Sequence, residues 1–99
     1  MLVSIATGAL RQSKRLRLDY DGYARVVEVH VIGKDKDGHD IMLVWQVAGG
    51  SKSNERLGWK ALKLHEATGA MLLDEDSDAP REGYNPHNNN AIKVVTLAI

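Results

Sequence analysis

The stretch RLRLDYDGYARVVEVHVI, residues 15–32, constrains the fold more than any other part of the chain. Leu16, Leu18 and Tyr20 alternate with Arg15, Arg17 and Asp19. A period of two gives one apolar and one polar face only to an extended strand. Asp21-Gly22 follows, flanked by Tyr20 and Tyr23. An Asp-Gly pair between alternating segments is the strongest short-range hairpin signal, because it suits a tight turn with positive φ at both central residues. The return strand runs roughly from Tyr23 to Ile32. Val27, Val29 and Val31 are expected on one face, and Val26, Glu28, His30 and Ile32 on the other.

The flanking segments fit around this hairpin. Over residues 2–13, Leu2, Ile5, Ala6, Ala9, Leu10 and Ser13 keep the spacing of one helical face. Gly8 weakens that helix by up to about 1 kcal/mol relative to Ala, so it depends on packing. After a polar loop over 33–39 with a second Asp-Gly, residues 40–48 form a strand. Ile41, Leu43, Trp45 and Val47 share one face, and Met42, Val44, Gln46 and Ala48 the other. Both faces are largely apolar, which predicts a central, doubly covered strand with Trp45 in the core. A glycine-rich connection spans 49–58, and a strand from about Trp59 to Leu64 follows. A single helical turn is expected at 65–68, ended by Gly69, then a strand over 70–73. Residues 74–90, with Pro80, Gly83, Pro86 and three consecutive Asn, read as a long polar loop. Residues 91–99, AIKVVTLAI, form a last β-branched strand. Such a strand must pair with something, either closing its own sheet or adding to a neighbour's to give a dimer. The sum is one domain over 1–99 that is mainly β: a small antiparallel barrel or strongly bent sheet of about five to six strands, with one N-terminal helix across it.

Composition narrows the function classes. The chain of 99 residues has no Cys, which excludes disulfides, thiolate metal sites and a Cys nucleophile, and suits a reducing cytoplasm. Thirteen Lys and Arg balance thirteen Asp and Glu, so the chain is not a general polyanion binder. The charges are uneven. Arg11, Lys14, Arg15 and Arg17 cluster without an acid, and Asp74, Glu75, Asp76 and Asp78 without a base. These segments read as two solvated faces or, more sharply, as complementary patches for self-association or for one anionic ligand. No apolar run approaches the roughly 20 residues of a membrane helix, and the N-terminal segment does not read as a secretory signal.

The connection VAGGSKSNERLGW, residues 47–59, carries the most suggestive chemistry. It is not a nucleotide-hydrolase phosphate loop: Gly50 stands only two residues before Lys52, and a strand rather than a helix follows. A simpler anion site is open to it. Gly49 and Gly50 can turn successive N–H groups into a nest, Ser51, Lys52, Ser53 and Arg56 add donors, and Trp59 offers a stacking face. The competing reading is a solvated hairpin loop. His30, His39, His65 and His87 show no metal-ligand spacing, so no metal or other cofactor is assigned. Neither Ser51 nor Ser53 sits in a nucleophile elbow, and Glu28 with His30 is a pairing common by chance. No catalytic residue is assigned.

The order of these features resembles a WYL-type domain. The resemblance covers most of residues 2–84 and rests on the Tyr20–Glu28 run, the glycine-rich segment after the central strand, the Trp59–Leu64 strand entering a short turn, and PREGYNP at 80–86. It implies an SH3-like or Sm-like barrel and a bacterial regulatory module that senses a nucleotide, a nucleic-acid end or another small anion through basic residues on the barrel. On that basis Arg25 and Lys60 join the candidate ligand contacts. The Trp-Tyr-Leu triplet that names the family is absent, with Ile41-Met42-Leu43 in its place, and the chain has no helix-turn-helix pattern. The expectation is therefore a non-enzymatic, cytoplasmic ligand-binding module. Its alternative is an interaction or self-association module pairing through residues 91–99.

Overall fold

The computed structural model describes residues 2–51, 57–84 and 91–99. A helix, α1 (Leu2–Gln12), leads into β1 (Lys14–Tyr20), β2 (Tyr23–Lys34), β3 (Asp40–Gly49), β4 (Gly58–Lys63), a 3-10 turn (Leu64–Glu66), β5 (Ala67–Asp76) and β6 (Val94–Ala98). The strands make one antiparallel sheet in the order β4-β3-β2-β1-β5, with β6 also on β2. Of the two forms expected, a barrel or a strongly bent sheet, the chain takes the second. Among the described residues, no helix is long and apolar enough to cross a membrane.

The hairpin forms as its sequence dictates. Asp21 and Gly22 take φ of 53° and 80°, and Tyr20 pairs with Tyr23. Leu16, Leu18 and Tyr20 then point inward with Val27, Val29, Ile32, Met42, Val44, Leu62 and Leu64. Ala6, Ala9 and Leu10 of α1 seal this core, and their small Ala side chains let the helix approach the sheet closely. Leu16, Leu18 and Met42 are fully buried, and each such side chain stabilises the fold by about 1.5–3 kcal/mol relative to exposure.

Strict alternation fails at two places. From Val26 to Val27 the partner on β3 jumps from Ala48 to Gln46, so Val47 is extra on β3. From Val29 to Val31 the partner moves only from Val44 to Leu43, so His30 is extra on β2. That bulge sends Val31 to the face away from α1, where it joins Ile41, Leu43 and Ile92, while Ile32 turns inward. Val31 and Ile32 thus exchange the faces that a strict period of two predicts, since a bulge inverts every side chain beyond it.

The C-terminal half departs from its reading in three ways. β5 runs through Gly69 without a break and carries on to Asp76, so residues 74–76 belong to a strand. Pairing with β1 extends it, because Lys14 stands opposite Asp76 and meets it in an ion pair of 2.5 Å. The last strand is shorter than residues 91–99. It pairs with β2 of its own chain, Val31 opposite Ala98 and Lys34 opposite Val94. β1 and β6 thereby share one edge of β2, and β3 takes the other. Finally, residues 77–84 form a strap across the face of β2 opposite α1. It starts where the Ser77 N–H donates to the Ser13 carbonyl, and at its far end the Tyr84 hydroxyl donates to Ile99 O.

Candidate functional site

The helix-side face of β2 ends in a pocket of about 270 Å³ lined by Tyr20, Asp21, Arg25, Ser51, Lys60 and Leu62. Arg25 shares the inward parity of Val27 and Val29, so its side chain enters the protein and is only 3% exposed. The guanidinium lies 5.1 Å from the centre of the Tyr20 ring and 5.9 Å from that of Tyr23. One terminal nitrogen donates to Gln46 Oε1 at 3.4 Å, and the other lies 3.7 Å from Asp21 Oδ2. Among the described residues, the buried Nε has no acceptor. Gln46 in turn donates through Nε2 to the Gly50 carbonyl, fixing the entry to the connection between β3 and β4. Lys60 Nζ donates to Ser51 Oγ at 3.3 Å across the mouth.

Folding therefore gathers Arg25, Ser51 and Lys60, while it places Trp59 on the opposite side of the sheet. Lys60 stands opposite Val44, an inward residue, and Trp59 opposite Trp45, an outward one. One step along a strand reverses the face. Lys52, Ser53 and Arg56 lie outside the described residues. The nest expected at Gly49-Gly50 does not form. Gly49 takes φ of 102°, but the Gly50 N–H is donated to the Ala24 carbonyl at 3.2 Å and is not presented to a ligand.

Under the strap lies a polar hub that alternation alone did not reveal. Glu28 is fully buried. Its carboxylate accepts from Arg81 Nε at 2.6 Å, from a terminal nitrogen of Arg81 at 3.2 Å, from Arg15 Nε at 3.1 Å and from the Asp78 N–H at 2.8 Å. Burial pushes this carboxyl up, yet Arg81, the Asp78 amide and Arg15 together outweigh it and hold it below the ordinary glutamate range. His30 is also fully buried. Its Nε2 accepts from the Arg81 N–H at 3.0 Å, which leaves Nδ1 to donate to the Glu28 carbonyl at 3.0 Å. The ring is thus held as the neutral Nδ1–H tautomer. Burial is the main cause that lowers its pKa, against the raising effect of Glu28. Trp59 meets His30 edge-on at 4.7 Å, and Tyr84 lies 5.1 Å from it. The available signal was Glu and His in an otherwise apolar strand, matched by PREGY fifty residues on.

Trp45 is a correction. It is only half buried, because it lies on the strap side, with the Arg81 guanidinium 5.6 Å from its ring centre. It borders a groove of about 390 Å³ with Arg15, Val47, Leu57, Glu75 and Arg81. This groove is larger than the Arg25 pocket but less suited to an anion, since both its arginines already serve Glu28 and Asp78.

Histidines also meet in space without spacing in sequence. His39 and His65 lie 4.8 Å apart, and Asp35, Asp37 and His39 bring ligand atoms within 4.8 Å of one another. Here Asp35 organises its own loop. One oxygen accepts from the Asp37 and His39 N–H groups at 2.9 Å each, and the other lies 3.6 Å from His39 Nδ1. His87 lies outside the described residues.

Comparison with protein-family models, with curated proteins and with solved structures gives no match.

Proposed function

We propose that the chain is a non-enzymatic, WYL-like regulatory module that binds a small anion, or the anionic end of a nucleotide-like molecule, in the Arg25–Ser51–Lys60 pocket. The observation that carries this reading is Arg25: a buried guanidinium whose Nε has no acceptor among the described residues. A buried donor left unpaired costs about 1–3 kcal/mol, which an anionic acceptor recovers. The Lys60 ammonium and the Ser51 hydroxyl supply further donors at the mouth. Lys52, Ser53 and Arg56 lie within five residues after Ser51 in sequence and belong to the same reading as candidate contacts. A pocket near 270 Å³ suits a phosphate, a carboxylate or one end of a larger ligand, because sites that enclose drug-sized molecules run from about 300 to 1,000 Å³.

A thermal-shift series with inorganic phosphate, a nucleoside monophosphate and a short single-stranded oligonucleotide tests it. A ligand at about 100 times its dissociation constant stabilises by about 2.7 kcal/mol. That corresponds to about 11–22 °C at about 4–8 °C per kcal/mol. Lys60→Met and Arg25→Met are expected to abolish the response. No shift with any of the three probes, or an equal shift in both variants, overturns the assignment.

The self-association reading loses the two features that motivated it. β6 makes its hydrogen bonds to β2 of the same chain. The complementary charged segments pair internally, Lys14 with Asp76 and Arg15 with Glu75 and Asp78.

A further inference from the structure

We propose that residues 77–84 are an acid-released latch, held shut by neutral His30 and opened when that imidazole takes a proton. The strap is fastened to β2 at two adjacent places. The Asp78 N–H and the Arg81 side chain bind the Glu28 carboxylate, and the Arg81 N–H binds His30 Nε2. Only the second fastening depends on a group that titrates near neutrality. His30 Nε2 is an acceptor while the ring is neutral. A proton there puts two N–H groups face to face at 3.0 Å, and Nδ1 offers no alternative because its proton already serves the Glu28 carbonyl. The imidazolium also loses its hydration in a fully buried position.

The charges around His30 pull in both directions. On the same strand, the Glu28 carboxylate favours the imidazolium. From the strap, Arg81 opposes it, and Asp78 lies beyond, paired with Arg81 and Arg15. From β1, Arg15 is bound to Glu28 and dilutes that carboxylate's pull. Glu75 reaches Arg15 from β5. Trp59 of β4 and Tyr84 of the strap present rings, and the Tyr84 hydroxyl is engaged by Ile99 O. Two arginines thus share the one carboxylate that would stabilise a proton on His30.

The sign follows from linkage. With the latch shut, His30 resists protonation. With it open, the ring meets water and regains an ordinary pKa of about 6.5. The open form therefore gains as pH falls below about 6.5, by up to about tenfold per pH unit until the closed form also protonates. Opening would uncover His30, Trp59 and the Arg81 side of Trp45, while the α1-side core, which the strap does not touch, stays packed.

Amide hydrogen exchange of the whole chain, followed residue by residue from pH 7.5 to 5 and corrected for intrinsic rates, tests the latch. The opening constants of the Asp78 and Arg81 amides are expected to rise by up to about tenfold per pH unit below 6.5, while those of Met42 and Val44 in β3 stay level. A flat response at Arg81, or a rise shared equally by β3, overturns the proposal. His30→Gln, which stays neutral, is expected to abolish the rise; a rise that persists in that variant also overturns it. Should His30→Gln fail to fold, ring-nitrogen NMR of the unaltered protein decides. The latch requires the Nδ1–H tautomer at pH 7.5 and a His30 titration below 6.5, and any other tautomer or a titration at or above 6.5 refutes it.

Discussion

Two buried charges of opposite sign sit on successive stretches of β2 and are treated differently by their surroundings. Glu28 is surrounded by donors from β1 and the strap, so its negative charge is answered from several directions. Arg25 keeps one nitrogen unanswered. The first arrangement is a closed ionic cluster; the second is the one on which the proposed anion site rests. Glu28→Gln keeps the shape but leaves Arg15 and Arg81 without their central counter-charge. Removing one partner from a buried ionic cluster costs about 3–5 kcal/mol, measured as a lowered urea midpoint at pH 7. The pH dependence has a definite direction. The folded carboxyl titrates below its ordinary value, so its contribution is complete above about 4.3 and is lost as pH falls through the lower, folded value. The midpoint difference between the native chain and Glu28→Gln should therefore shrink as pH falls below about 4.3. A constant difference across that window would show that charge at Glu28 is not what matters.

At the scale of elements, β2 organises the molecule by lending one edge to two strands. The bulge at His30 falls where its partner changes from β1 to β6. Local twist at a bulge re-aims the strand, which lets β6 take over the edge. Gly33 makes the close approach workable, because a Cβ there would overlap the Val94 carbonyl oxygen and the Ile92 side chain. Gly33→Ala is accordingly expected to detach β6 while leaving the β1–β2 hairpin intact. Exchange should accelerate at the Lys93 amide, which donates to the Lys34 carbonyl, and at Ile99, which donates to the His30 carbonyl. Protection at Val27 should not change. Uniform loss of protection across the sheet would mean that β6 is part of the core unit rather than an addition to it.

At the scale of the whole molecule, the chain pairs internally the charged segments and the strand edge that the sequence offered for association. The basic start of β1 meets the acidic end of β5, and β6 covers the edge of β2. Val94 and Val95 of β6 and the adjoining Ile99 nevertheless remain exposed. Light scattering of the full chain is expected to give a mass that does not vary with concentration. Deleting residues 91–99 removes Ile92 from the second cluster and leaves the β2 edge at Val31–Lys34 without hydrogen-bond partners. An open edge invites pairing with another copy, so the truncated chain should both lose stability and gain mass with concentration. A truncated chain that remains a stable monomer would show that β6 guards no edge.

Much of this architecture was legible before any coordinates. The Asp21-Gly22 hairpin, the α1 stripe and the central apolar strand each rest on contacts between near neighbours, and a periodicity of 2 or 3.6 reports those contacts directly. Arg25 entered the candidate contacts only through the family resemblance, and a charge on a strand reads more readily as outward; its burial at the parity of Val27 came from the fold. The sequence alone thus determined the mainly β, antiparallel class, the N-terminal helix and the first hairpin, while the choice of bent sheet over barrel, the length of β5 and the bounds of β6 were set by tertiary pairing. The tertiary structure decided which polar groups are buried and which partners they have. Glu28 and His30 look like an ordinary outward pair until a strap fifty residues away crosses them. Val31 changes face only because of a bulge, and Trp59 parts from Lys60 because opposite faces of β4 meet different layers. The reason is physical: periodicity is set by backbone geometry within a few residues, whereas burial and charge pairing depend on segments that meet only after the chain has folded.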